Sequence, residues 1–105
     1  MTDALVVLVT APTPDRAAEI ARALVEERLA ACGNVLSGLR SVYRWEGRVQ
    51  EDAEALLVLK TTRARFEALR ARVLALHPYE VPEVIALPIV AGHDAYLDWI
   101  VGSLY

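Results

Sequence analysis

The longest continuous pattern in the sequence is a β-hairpin that spans Asn34–Thr61 and turns at Glu46-Gly47. Residues that favour a pleated, half-buried surface recur along the first arm, and the glycine supplies the positive φ that a tight turn requires. Alternation of side chains along the strand places Leu39, Tyr43 and Trp45 on one face. A two-residue turn predicts four cross-strand pairs: Trp45 with Arg48, Tyr43 with Gln50, Ser41 with Asp52, and Leu39 with Glu54.

The first arm of this hairpin is longer than the domain can cover. Val35–Trp45 extends roughly 36 Å at about 3.3 Å per residue, whereas the preceding helix, predicted over Pro14–Leu29, covers about 24 Å at 1.5 Å per residue. About 10 Å of ribbon, including Tyr43 and Trp45, should therefore extend beyond the core. A bare ribbon is marginal in water, so we favour burial against another copy of the chain. The alternative is a strand that bends at Gly38 and folds back onto its own core.

Composition excludes several classes of function. The 105 residues suffice for a single domain, taken as residues 1–105, and 55% of them are hydrophobic. A net charge of −3 argues against a nucleic-acid partner, which requires clustered lysine and arginine. One cysteine excludes both an intrachain disulfide framework and a CxxC metal motif. Without a basic signal-like start or a long uncharged run, we expect a cytoplasmic protein with no membrane span.

The other segments complete a β-α-β-β-α-β order with a terminal helix. Ala4–Thr10 is a continuous apolar run, which is typical of a central strand covered on both faces. The order predicts an α+β domain with a ferredoxin-like antiparallel sheet, in which the spatial strand order is fourth, first, third, second. Pro88 cannot donate a ladder hydrogen bond, so the fourth strand belongs at an edge. The remaining predicted elements are helices over Pro14–Leu29 and Arg63–His77, a strand over Glu83–Val90, and a short helix from Asp94.

Two side chains with metal-binding chemistry also have structural explanations. Cys32 lies between the first helix and the hairpin, and a lone cysteine is more often a small buried hydrophobe than a ligand. His77 falls on the buried stripe of the second helix, at the C-terminus, where a partial positive charge is favoured. The topology places Cys32 and His77 at opposite ends of the subunit, roughly 20 Å or more apart. They therefore cannot chelate one ion within a single chain.

Five spaced strings stand out in the sequence: Glu27–Cys32 with Asn34, Tyr43–Gly47, Leu59–Thr62, His77–Glu83 and Tyr96–Trp99. Together they resemble the CutA family, the divalent-cation tolerance proteins, over nearly the whole length. The resemblance implies a ferredoxin-like subunit in a tightly packed homotrimer, with the long hairpins paired to neighbouring subunits. It also implies a fold relation to PII signalling proteins, a role in tolerance to copper and other divalent cations, and no established enzymatic reaction. His77–Glu83 is the most specific string.

The residues that match these strings supply the candidate site. The family members that are proposed to bind copper resemble a design with a cysteine on the first strand and two adjacent histidines before Pro-Tyr. Val9 and Leu76 stand at those positions here, so we expect His77 to bind Cu(II) or another divalent cation weakly at best. The resemblance implies no required cofactor. The candidate ligand-binding residues are Tyr43, Trp45, Lys60, Tyr79 and Glu83, and the candidate metal ligands are His77 and Cys32.

Three functions remain open at this point. The first is a trimeric protein that binds or senses metal ions or a small ligand, and the second is a structural or interaction module without direct metal binding. The third, which the sequence disfavours, is an acylphosphatase-like hydrolase. That activity needs backbone N–H donors in an anion-binding loop, and two prolines remove donors from Thr10–Pro14.

Overall fold

The structure is a computed structural model, and it describes residues 2–105. Four strands form one antiparallel sheet in the order β2-β3-β1-β4. This order confirms the predicted ferredoxin-like arrangement and places Pro88 on an edge strand. Among residues 2–105, no helix has the length and apolarity needed to cross a membrane. The elements are β1 (Ala4–Ala11), α1 (Pro14–Glu26), β2 (Cys32–Trp45), β3 (Arg48–Thr62), α2 (Arg63–Leu76), β4 (Ile85–Pro88) and α3 (Asp94–Gly102).

The start of α1 follows the sequence signals, but both long helices end earlier than predicted. Thr13 Oγ1 accepts the Arg16 N–H at 3.1 Å, and Pro14 takes the first helical position as expected. α1 ends at Glu26 because Arg28 adopts a φ of 58°, which a right-handed helix cannot contain. α2 ends at Leu76 because the following proline disfavours a helical conformation at His77.

The hairpin has the predicted register. All four predicted cross-strand pairs occur, and both turn residues, Glu46 at φ 51° and Gly47 at φ 75°, are left-handed, as a type I′ turn requires. A register irregularity lies between Leu36 and Leu39, where Gly38 has a φ of 79°. The strand does not fold back onto its own core at this bulge, because the Trp45 side chain remains 44% exposed. The molecule is accordingly elongated, measuring 44 × 26 × 22 Å.

The two faces of the sheet differ in what covers them. Helices α1 and α2 bury one face, where Val9 and Leu57 lie in the main core cluster. On the other face, α3 covers only the end where β1 begins, and its Ile100 packs against Ala4. β1 is central as predicted, but within one chain only one of its faces is fully covered. The rest of the second face, here called the open face, carries Val6, Leu8, Leu36, Tyr43, Trp45, Leu56, Val58, Ile85 and Leu87, all of them half-buried or exposed.

Candidate functional site

A cleft of about 720 Å³ lies where the projecting hairpin meets the connection between α2 and β4. This volume falls within the range of about 300–1,000 Å³ that small-molecule sites occupy. The hairpin and β3 form one wall, the connection forms the other, and the end of β1 forms the floor. The lining residues are Thr10, Ser41, Val42, Tyr43, Trp45, Glu54, Pro78, Tyr79, Glu80, Val81 and Glu83.

The buried side chain of His77 fixes the start of the connection. Its Nδ1 accepts the Tyr79 N–H at 3.1 Å, and its Nε2 lies 2.7 Å from the Thr10 carbonyl oxygen. Because a backbone N–H can only donate, Nδ1 carries no proton and Nε2 donates to Thr10. The His77 ring also packs on the Tyr79 ring, with their centroids 4.7 Å apart. His77 therefore anchors the cleft wall to β1 through both nitrogens and its ring.

Two tyrosine hydroxyls at the cleft donate to carboxylates of β3, one from the connection and one from β2. The Tyr79 hydroxyl donates to Glu54 at 2.5 Å, and the Tyr43 hydroxyl donates to Asp52. Burial raises the pKa of Tyr79 well above its ordinary value, and the hydrogen bond to Glu54 raises it further. The hydrogen bond to Asp52 is the main reason that the pKa of Tyr43 is raised. Both phenols therefore stay protonated at neutral pH and donate to their carboxylates.

Four of the five predicted ligand-binding residues line this one cleft: Tyr43, Trp45, Tyr79 and Glu83. Lys60 does not, because its Nζ donates to Asn34 Oδ1 at 2.6 Å on the part of β3 that pairs with the start of β2.

The two candidate metal ligands lie at opposite ends of the sheet, as predicted. Cys32 pairs with Lys60, which pairs in turn with Val6 near the start of β1, whereas His77 bonds to Thr10 near its end. The Cys32 thiol lies 3.6 Å from the Tyr96 hydroxyl, a hydrogen bond that is the main reason for the raised pKa of Tyr96. Among residues 2–105, no three His, Cys, Asp or Glu side chains form a metal-binding group.

Glu54 and Thr10 line the cleft, and reasoning from the sequence did not select either. A signal for Glu54 was present, because the hairpin register places it opposite Leu39 and on the same face as Tyr43. Thr10 carried no such signal. Its place in the cleft depends on the path that the connection takes across the end of β1.

Comparisons with known proteins give consistent matches across the chain. The family model described as CutA1 divalent ion tolerance protein matches residues 5–103. The "Divalent-cation tolerance protein CutA" of Thermus thermophilus is 59% identical over 95 residues, which cover 90% of this chain and 92% of that protein. "Protein CutA, chloroplastic" of Arabidopsis thaliana is 50% identical over 99 residues, covering 94% of this chain but 54% of the plant protein. The crystal structure of CutA from Xylella fastidiosa superposes with a TM-score of 0.96 at 39% identity, covering 99% of this chain and 100% of that one.

Proposed function

The chain belongs to the CutA1 divalent ion tolerance family, and we propose that it acts in divalent-cation tolerance as a homotrimer of PII-like architecture. In this proposal the trimer binds or senses a cation or a small ligand at the cleft and catalyses no reaction. The proposal rests on the open face, which favours association between copies of the chain. The number of three subunits comes from the family resemblance.

The open face is unsuited to permanent contact with water. Its leucine and isoleucine side chains on β2 and β4 are about half exposed: Leu36 at 47%, Ile85 at 49% and Leu87 at 48%. Contiguous apolar surface of this kind marks an interaction site in soluble proteins. Within residues 2–105, β2 and β4 each pair on one side only, so both edges of the sheet can accept further strands. A closed ring of copies would cover the faces and the edges together.

A specific observation favours the second candidate function, an interaction module without direct metal binding. Both ring nitrogens of His77 already make hydrogen bonds, so coordination of a metal would break one of them. Cys32 lies too far along the sheet to assist. A tight metal site would therefore need ligands contributed by neighbouring subunits, and we expect weak Cu(II) binding.

Light scattering at micromolar concentration tests the assembly. The expected mass is three times the 11.6 kDa chain mass, and a monomer would contradict the proposal. Native mass spectra recorded with and without Cu(II) would then measure the subunit number and the metal stoichiometry on the same sample. A trimer that retains no copper would favour the interaction module over the direct binding of metal.

A further inference from the structure

We propose that the hairpin tip of one copy docks on the acidic connection of the next copy, where Arg48 of the tip pairs with Glu80 and Glu83. The hairpin tip is residues 42–49, and the connection between α2 and β4 is residues 77–84. This inference rests on the proposed function in taking the protein as a closed ring of copies, and it goes further by naming the segments that meet. The candidate site is then completed by two chains.

The directions of the strands decide which segments of two copies meet. β2 runs toward the hairpin tip and β4 runs away from the connection, so the two edge strands of the sheet are antiparallel. A ring closed by rotation about an axis along the strands joins unlike edges, which places β2 of one copy antiparallel beside β4 of the next. The hairpin tip and the neighbouring connection then lie at the same end of the ring.

The hairpin tip is apolar on both faces and carries an unpaired charge. Val42 and Val49 are exposed on one face, and Trp45 is exposed on the other. Arg48 is the cross-strand partner of Trp45 and is also exposed, and it forms no ion pair with any residue of the described chain, 2–105. Such a ribbon is better suited to burial between chains than to contact with water.

The connection offers the complementary surface. Glu80 and Glu83 are exposed and form no ion pair within residues 2–105, and Val81 between them is 69% exposed. With Glu54 of β3 they give the cleft three carboxylates, and no lysine or arginine is among its described lining residues. A guanidinium from another chain would compensate this negative charge, and Val81 would meet the apolar side chains of the hairpin tip.

The hairpin of the same chain does not supply the missing positive charge. Its Arg48 lies outside the cleft lining, and Arg44 Nη1 donates to the Gly47 carbonyl within its own turn at 3.5 Å. Arg40, nearer the core, pairs with Glu51 at 3.2 Å. A second copy of the chain provides the charge, and its position at the same end of the ring brings that charge to the cleft.

Reciprocal charge reversal tests the contact. Arg48→Glu places a carboxylate against Glu83 of the next copy, and Glu83→Arg places two guanidinium groups together. Each variant alone should assemble at least about tenfold more weakly than the parent protein, measured by light scattering over a dilution series. When the two variants are expressed together, native mass spectra should show mixed rings in excess of the statistical distribution, because opposite charges meet only between unlike chains. A statistical distribution would overturn the inference.

A matched pair of variants on α1 is the control. Arg22→Glu and Glu26→Arg make the same charge changes on the exposed surface of this helix, so their chains should mix statistically. Equal preference for mixed rings in both pairs would contradict the docking. The double variant with Arg48→Glu and Glu83→Arg should assemble like the parent protein. If it does so while the single variants mix statistically, the pair forms within one chain and the inference is wrong.

Light scattering on the parent protein separates this inference from the proposed function. A parent trimer whose charge variants mix statistically removes only the docking of the hairpin tip. A parent ring of another subunit number whose variants mix preferentially removes only the number three. A monomeric parent removes the assembly, and the docking with it.

Discussion

His77 shows how one residue of a family string can act structurally. Its two nitrogens tie the cleft wall to β1, and its ring packs on Tyr79. We expect His77→Ala to lower the free energy of unfolding by about 1–3 kcal/mol, because buried partners lose their hydrogen bonds. His93→Ala, at the exposed start of α3, is the matched control and should cost less. Chemical denaturation measures both variants.

Calorimetric titration of Cu(II) into the same two variants tests the metal role of His77. We expect weak binding to the parent protein and little change in either variant, since the imidazole nitrogens are already engaged. One tight site per chain, abolished by His77→Ala without loss of folding, would contradict this prediction and restore a direct metal role.

Tyr79 gives a prediction for the dependence of stability on pH. Its pKa is raised in the folded chain, so the folded state retains the phenol proton at a pH where the unfolded chain has released it. The stabilisation is therefore complete below the unfolded-state pKa of about 10 and is lost as the pH rises above it. Between about pH 8 and about pH 11, the parent protein should lose more unfolding free energy than Tyr79→Phe. Identical losses in denaturant titrations would show that Tyr79 does not contribute.

At the scale of the elements, the hairpin turn depends on a glycine. Gly47 has a φ of 75°, and an added Cβ would meet no described atom within 4 Å, so the cost of Gly47→Ala is purely conformational. We expect a destabilisation of about 1–2 kcal/mol. Gly102→Ala is the matched control, because Gly102 also faces open space but lies in α3 without a positive φ. Thermal denaturation should show Gly102→Ala as neutral or stabilising, and equal effects of the two variants would contradict the prediction.

Elements governed by local patterns could be predicted from the sequence, and those governed by tertiary contacts could not. The hairpin register follows from alternation and a two-residue turn, and the start of α1 follows from Thr13 and Pro14. The end of α1 escaped prediction because Arg28, which is not a glycine, adopts a left-handed conformation. The predicted fourth strand is shorter in the structure, Ile85–Pro88, since Glu83 lies in the connection that forms the cleft.

The candidate site was also predictable only in part, because its residues could be selected from the sequence but their contacts depend on the fold. The strings around Tyr43 and Tyr79 come from distant parts of the chain, and the fold brings both to the end of β1. Lys60 belongs to a matching string but lies farther along β3, near Asn34. A family string marks a position along the chain. Only the register of the strands shows which of these positions lie at the same end of the sheet.

At the scale of the whole molecule, Trp45 tests whether the hairpin is covered by a neighbouring copy. Trp45 is 44% exposed in the isolated chain, and we predict that assembly buries it. Trp45→Ala should then cost about 3–5 kcal/mol of assembly free energy while leaving the secondary structure of the subunit intact. Light scattering and circular dichroism measure the two effects separately. An unchanged mass with unchanged melting would show that Trp45 is a surface residue.

Two leucines of nearly equal exposure provide the sharpest test of the open face. Leu87 lies on β4 in the open face and is 48% exposed, whereas Leu74 lies on the outer surface of α2 and is 45% exposed. In an isolated chain, Leu87→Asp and Leu74→Asp should therefore have similar, small effects. In an assembly that buries the open face, Leu87→Asp places an unpaired carboxylate in an apolar interface, which costs several kcal/mol. We expect light scattering to show dissociation of Leu87→Asp and an unchanged mass for Leu74→Asp; equal masses for both variants would show that copies do not meet through this face.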